Sequence, residues 1–392
     1  MDCATLLAAR TGNMTVSAIR ELLKVVSQPG MISLAGGIPA PESFPLELLE
    51  HLYRTVLEKH GAAALQYGAS EGFTPFRQAL VGHLEPLGIR VIAEDILTSS
   101  GSQGMLDALG MVLLSKGDKV AVESPTYLGA LQAFAPYEPR YLTIETDEDG
   151  LVPEALEAAL RRESVKFLYL VPTFQNPTGR TLSLERRTAV ADLIRRHDVL
   201  LVEDDPYSAL RYRGDPLPSL KSLAPEQVVY LGTLSKVLAP GLRVGYCVAP
   251  QSLRKWLVIA KQGIDLHTGS LSQALAAEYL SGGHLQKHLP TIISLYRPRQ
   301  EAMLEALERF FPPGFRWSRP QGGMFIWAEG PPGLDMTEVY PWAVARNVAF
   351  VPGRYFYAEP DRGIETLRLN YTMADEKSLA RAIAILGEVL AA

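Results

Sequence analysis

The feature that most constrains this chain is a repeated alternation through its middle. Short β-rich apolar runs are separated by segments with helical periodicity. The runs are Lys119–Ser124, Arg140–Ile144, Lys166–Val171, Val199–Asp204, Val228–Thr233 and Arg243–Ala249. Between them, Ser102–Ser115, Ser183–Arg196 and Ser252–Ile264 read as helices. Phe167-Leu168-Tyr169-Leu170-Val171 has no polar face, so a strand there must be covered on both sides. That order predicts an α/β fold, with a large domain built on a mainly parallel sheet of seven-stranded type between helices.

From about Gly282 the pattern changes. A long helix is expected over Leu285–Phe310, ended by Phe311-Pro312-Pro313-Gly314. A strand (Met324–Ala328), a helix (Met336–Arg346), a strand (Thr366–Tyr371) and a terminal helix (Asp375–Leu390) follow, which predicts a smaller α+β domain. Residues 1–44 form a separate opening segment, with 45–284 as the large domain and 285–392 as the small one. In that opening segment Val16–Gln28 carries a helical apolar stripe, and Ala35-Gly36-Gly37-Ile38-Pro39-Ala40-Pro41 reads as a loop of specific path. No internal repeat is present.

Composition excludes several classes. With 392 residues and a net charge of −5, the chain lacks the basic surplus of a nucleic-acid binder. No run approaches the roughly 20 apolar residues of a membrane span. Met1–Arg20 has no apolar block of the secretory kind. Cys3 and Cys247 stand alone and no metal-ligand spacing occurs, so no metal is expected. Reduced thiols and a cytoplasmic location are the expectation.

The chemistry concentrates in Thr233-Leu234-Ser235-Lys236-Val237-Leu238-Ala239-Pro240-Gly241-Leu242-Arg243. It lies between two strands, at the end of a sheet where ligands bind in open α/β folds. A lysine there, with hydroxyls on one side and an arginine seven residues on, suits covalent capture of a phosphorylated aldehyde, Arg243 forking onto the phosphate. Taken alone, a Ser-Lys pair is more often a solvated loop.

The whole run resembles the S-x-S-K-x-x-x-P-G-L-R-x-G signature of fold-type I pyridoxal-5′-phosphate (PLP) enzymes, the aspartate aminotransferase superfamily. Four further motifs extend the resemblance over essentially the entire chain. It implies PLP held as a Schiff base by Lys236. In Val202-Glu203-Asp204-Asp205-Pro206-Tyr207, the family's acid lies three residues before its tyrosine, which selects Asp204 for the pyridine nitrogen. Tyr207 and Asn176, within Gln175-Asn176-Pro177-Thr178-Gly179, would contact the ring's phenolic oxygen. Ser102 and Gln103 match the phosphate-binding pair ahead of a helical pattern starting near Met105; Gly104 stands where many relatives have a second Gln. Thr233, Ser235 and Arg243 complete the phosphate site. Tyr127 resembles the aromatic stacked on the ring, with a core tyrosine as the competing reading. Tyr67 resembles a tyrosine serving the neighbouring subunit, which implies a homodimer with shared active sites.

Arg368, inside the otherwise apolar run Thr366–Tyr371, resembles the arginine that takes the substrate α-carboxylate; a structural ion pair is the alternative. Gly37 and Asn176 would also line the substrate. The run from Ser17 to Lys24, followed by Ala35-Gly36-Gly37-Ile38-Pro39, resembles the branch of 2-aminoadipate and kynurenine aminotransferases, where Arg20 would grip a distal carboxylate unless it is a solvated helix arginine. The expected reaction is ping-pong transfer of an amino group from an L-amino acid to a 2-oxo acid, with glutamate, 2-aminoadipate, and apolar or aromatic amino acids as donors. A PLP lyase or decarboxylase on the same fold is the main alternative, since the motifs define the cofactor and not which bond breaks. An effector domain of a transcriptional regulator is opposed by the acidic balance. Gly68-Ala69-Ser70-Glu71-Gly72 matches a hydrolase nucleophile elbow, but no strand precedes it.

Overall fold

The structure, a computed structural model, describes residues 1, 3–14, 30–359 and 361–391. The expected helix at Val16–Gln28, and Arg20 on it, lie outside the described residues.

In chain order the strands are β1 (Ile32–Ser33), β2 (Ile96–Ser99), β3 (Lys119–Ser124), β4 (Arg140–Asp147), β5 (Gly150–Leu151), β6 (Phe167–Leu170) and β7 (Leu200–Asp205). They continue with β8 (Val228–Thr233), β9 (Gly245–Val248), β10 (Arg316–Trp317), β11 (Phe325–Glu329), β12 (Val348–Ala349), β13 (Val351–Pro352) and β14 (Thr366–Asn370).

The large sheet runs β2-β9-β8-β7-β6-β3-β4-β5. Seven strands form its body, and the two-residue β5 turns back antiparallel to β4 at one edge. The pairings from β4 through β8 are parallel, as expected. The exceptions are at the other side, where β9 runs antiparallel to both β8 and β2. That reversal lets β8 join β9 directly through residues 234–244, without the helical crossover that parallel neighbours need.

Both faces of the sheet are covered. Leu168 and Leu170 pack with Leu156, Val190 and Ile194 from the helices Pro153–Arg162 and Leu184–His197. Phe167 and Tyr169 face the other way, against Phe134 of the helix Leu128–Phe134. Every residue of β6 is therefore buried, and the apolar run has no polar face to show.

The second sheet is antiparallel, in the order β10-β11-β14-β13. The helices Met336–Ala345 and Glu376–Ala391, with the long helix His284–Phe310, supply the rest of this α+β part. The opening segment is stitched to it: β1 pairs parallel with β12, and Asn370 N donates to Leu34 O at 2.8 Å. Residues 34–41 are thereby laid along the end of β14 and toward Lys236. Among the described residues, no helix is long and apolar enough to cross a membrane.

Candidate active site

Three consecutive acids end β7, and their surroundings separate their roles. Glu203 accepts from Ser219 Oγ and from the N–H groups of Leu220 and Lys221. Asp205 accepts from Ser208 N and from the Tyr230 hydroxyl, both at 3.0 Å. Asp204 differs: Oδ2 accepts from the Tyr169 hydroxyl at 2.8 Å, whereas Oδ1 is buried with no partner. Burial raises Asp204 from the ordinary 3.8 to about 7; the Tyr169 bond and the charge of Lys236 oppose that rise.

Lys236 follows the end of β8, one turn into the 234–244 loop. Its Nζ donates to Gly37 O at 2.8 Å. Burial, then the charges of Arg368 and Arg243, lower it to about 8, and only Asp204 pulls the other way. Gly37 approaches closely: a Cβ there would lie 3.1 Å from Phe325 Cζ.

Arg368 sits mid-strand in β14, paired with Trp327 on β11 and Val351 on β13. It is 1% exposed. One Nη donates to Asn176 Oδ1 at 2.8 Å and the other to Ala35 O at 2.6 Å, while Nε has no partner. The guanidinium lies 4.3 Å from the Phe325 ring centroid and 4.9 Å from that of Phe356. Burial lowers it to about 10, so it keeps its charge at neutral pH. No acid pairs with it among the described salt bridges, so the alternative of a structural ion pair is not what the fold shows. Asn176 also reaches Tyr207, its amide donating to the hydroxyl at 3.4 Å. Burial pushes the Tyr207 phenol well up and Tyr127 to about 12, so both remain hydroxyl donors.

The other end of the site is the turn into the helix Gly101–Leu113. This helix begins one residue before the Ser102–Ser115 segment read as helical, and four before Met105, near which the apolar pattern starts. Gly101-Ser102-Gln103-Gly104 has weak helix propensity, yet the turn is pinned from both sides. A Cβ on Gly101 would lie 2.5 Å from Arg243 Nη2, and one on Gly245 would lie 2.5 Å from Gly101 C. Arg243 itself adopts a left-handed φ of 53° and donates to Ser100 O at 3.1 Å. Ser102 stands in the first turn, and Gln103 Nε2 donates to Gly129 O at 2.8 Å, tying the turn to the Tyr127 segment. The Thr233 and Ser235 hydroxyls are 2.9 Å apart beside Lys236. Tyr67 is not in this cluster; it is 80% exposed, its ring edge-on to His267 at 5.8 Å.

Sequence reasoning missed four contributors. Tyr169 orients Asp204; the signal was a hydroxyl inside a doubly buried strand, which must find a partner. Gln175 bridges two segments, donating to Pro125 O at 2.8 Å and accepting from Thr178 N at 2.9 Å, and so fixes Asn176 beside the Tyr127 segment. Phe325 and Phe356 flank Arg368, and nothing in the sequence links either to it.

A fold of this kind, with a buried lysine, a half-satisfied acid and an unpaired arginine converging, defines a cofactor-dependent enzyme acting on a carboxylate substrate. Comparison with known proteins gives the family: residues 31–386 match aminotransferase class I and II, and the chain belongs to that family. It is 47% identical over 385 residues to aromatic-amino-acid aminotransferase 1 of Thermococcus litoralis, covering 96% of this chain and 92% of that one. The crystal structure of Pyrococcus horikoshii kynurenine aminotransferase, in complex with PMP, superposes with a TM-score of 0.96 at 44% identity, covering 100% of this chain and 98% of that one. That of the Thermus thermophilus α-aminoadipate aminotransferase, complexed with N-(5′-phosphopyridoxyl)-L-leucine, gives 0.92 at 42% identity, with the same coverage. The protein is a fold-type I aminotransferase, and its cofactor is pyridoxal 5′-phosphate.

Proposed function

We propose that the protein transfers the amino group of glutamate, 2-aminoadipate or an apolar or aromatic L-amino acid to a 2-oxo acid, with Lys236 as the group that holds the cofactor and moves the proton. The observation that carries this is the orphaned Asp204 Oδ1: a buried carboxylate oxygen with no donor suits a protonated pyridine nitrogen. PLP supplies an electron-withdrawing ring that accepts the electron pair left when the substrate α-carbon loses its proton. Tyr207 and Asn176 would hold the phenolic oxygen, and Tyr127 the face of the ring. Thr233, Ser235, Arg243, Ser102 and Gln103 would surround the phosphate, together with the N–H groups of the helix Gly101–Leu113.

With its pKa near 8, the Lys236 amine is neutral in a useful fraction of molecules at neutral pH, as a nucleophile must be. As a free amine, Lys236 Nζ would take the α-proton and return it as the acid. Arg368 grips the α-carboxylate with the fork now resting on Asn176 and Ala35, and Gly37 lines the substrate's path. Arg20 would meet a distal carboxylate. Donor choice rests on the relatives, which are named for aromatic amino acids, kynurenine and α-aminoadipate. The exposed Tyr67 phenol supports a homodimer in which it reaches the neighbour's phosphate.

The test is a panel of single amino acids added to purified enzyme, following the cofactor's visible absorbance and assaying 2-oxo acid. Glutamate, 2-aminoadipate and leucine or kynurenine should each convert the cofactor with one equivalent of oxo acid. Carbon dioxide or ammonia released instead would mean a lyase. Lys236→Ala should retain the fold and lose turnover by about 10⁴-fold or more; a variant that still turns over removes Lys236 from the mechanism.

A further inference from the structure

Ser100 occupies the N-cap of the helix Gly101–Leu113, the position where a serine ordinarily turns its hydroxyl onto the N–H groups of its own first turn. Here it makes no such bond. Its Oγ donates instead to Asp265 Oδ2 at 3.0 Å. Asp265 comes from a distant segment, the residue after the helix Gln251–Ile264, and is held by a buried lysine: Lys261 Nζ lies 3.1 and 3.4 Å from the two carboxylate oxygens and 3.3 Å from Thr268 Oγ1. Lys261 is 2% exposed. A lysine and an aspartate four apart at a helix end are normally a solvated pair of little consequence. Here the lysine is buried and the aspartate half-buried, and the aspartate also accepts from the cap of another helix.

We infer that the Lys261–Asp265 pair is a positioning device for the cofactor's phosphate end: it draws the Ser100 hydroxyl away from its own helix, leaving the first-turn N–H groups free to donate to phosphate. The inference rests on the reading above that this turn, with Arg243, is the phosphate site. An N-cap serine and a bound phosphate compete for the same donors. Removing the competitor at its source keeps the helix end receptive without a glycine or alanine at the cap, and the Ser100 carbonyl stays in place to accept from Arg243. Neither Lys261 nor Asp265 touches the cofactor; both act through Ser100.

The experiment uses the full chain freed of cofactor, titrated separately with PLP and with pyridoxal, which lacks the phosphate. Asp265→Ala should weaken PLP about tenfold and pyridoxal less than twofold, because the released Ser100 hydroxyl now caps the helix. Adding Ser100→Ala to Asp265→Ala should bring the PLP affinity back to within about threefold of the parent, since no hydroxyl remains to compete. If Asp265→Ala does not fold because it strands the Lys261 ammonium, the paired replacement Lys261→Met with Asp265→Leu removes both charges and frees Ser100 equally; the same Ser100→Ala rescue applies. Equal losses for PLP and pyridoxal, or no rescue by Ser100→Ala, would overturn the inference and leave the pair a structural support. Arg243→Ala is the control for the underlying reading. It should abolish most of the preference for PLP over pyridoxal, and an unchanged preference would show that the phosphate lies elsewhere, whatever Asp265 does.

Discussion

Asp204 and Arg368 are both buried charges set in strands, one in each sheet, and among the described residues neither is in direct contact with an opposite charge. They differ in how far the fold has prepared them. Arg368 has two of its donors satisfied by Asn176 and Ala35 and two aromatic faces against it, so it holds its charge through neutral pH. Asp204 has one oxygen satisfied and one bare, and its pKa of about 7 leaves it half-protonated at neutral pH. On the proposed function the arginine, already charged and oriented, would receive a carboxylate that comes and goes with each turnover. The aspartate, on the same function, would be one half of an ion pair, completed by the protonated ring of a cofactor that stays.

That contrast is broken most severely at the acid. Asp204→Asn keeps the shape and removes the counter-charge, so kcat should fall about 10³-fold with KM little changed. A fall of less than tenfold would mean that the ring nitrogen does not depend on this carboxylate. The same variant should gain stability when the cofactor is absent. Asp204 has a folded pKa raised above its unfolded value, so the folded chain keeps a proton that the unfolded chain has lost as pH climbs from about 4 to 7, and stability drops across that window. Cofactor-free parent should therefore lose about 3 kcal/mol relative to cofactor-free Asp204→Asn between pH 5 and pH 8. Chemical denaturation at the two pH values reads this directly, and parallel curves would contradict the raised pKa.

At the other member of the comparison the cost moves from kcat to KM. Arg368→Lys retains a charge but loses the planar fork, and it strands Asn176 or Ala35 without a donor. KM for all amino donors should rise about a hundredfold, with kcat reduced less, and cofactor affinity should be unaltered. Loss confined to dicarboxylic donors would instead make Arg368 a side-chain receptor.

The legibility of the molecule follows the same division. The doubly buried β6 and the helices around it could be read because their apolar pattern is continuous and each element is longer than one period. The two-residue strands β1, β5, β10, β12 and β13 are shorter than any pattern can report, and the four-residue β2 ends in two hydroxyl residues where the equally short β6 is apolar throughout. The antiparallel sense of β9 leaves no mark in its composition. At the site, residues whose chemistry is anomalous for their setting stood out: Lys236 after a strand, Arg368 inside one, three acids ending another. Partners joined only through the fold did not. Gln175 reads as a turn residue and Asp265 as a helix end, since neither their bonds nor their burial is a local property of the chain.

Tyr169 is the residue that most finely adjusts the difference between the two charges. Its hydroxyl donates the hydrogen bond that the Asp204 carboxylate accepts among the described residues, and it favours the charged form. Tyr169→Phe removes a single oxygen from a fully buried ring and keeps the packing against Phe134. Asp204 then loses that donor and becomes harder to ionise, so its pKa in the cofactor-free chain should rise above about 7. In the loaded enzyme, on the proposed function, the ring nitrogen would still partner one oxygen while the other would lose its donor. The expected result is a fall in kcat of about fivefold, with KM unchanged and the stability loss of the cofactor-free form displaced to higher pH. A Tyr169→Phe enzyme with parental kcat and an unshifted stability profile would mean that Asp204 is held by its strand alone. If instead Tyr169→Phe matched Asp204→Asn in magnitude, the phenol would be setting the ionisation of the acid and not merely its orientation, and the two would have to be treated as one group.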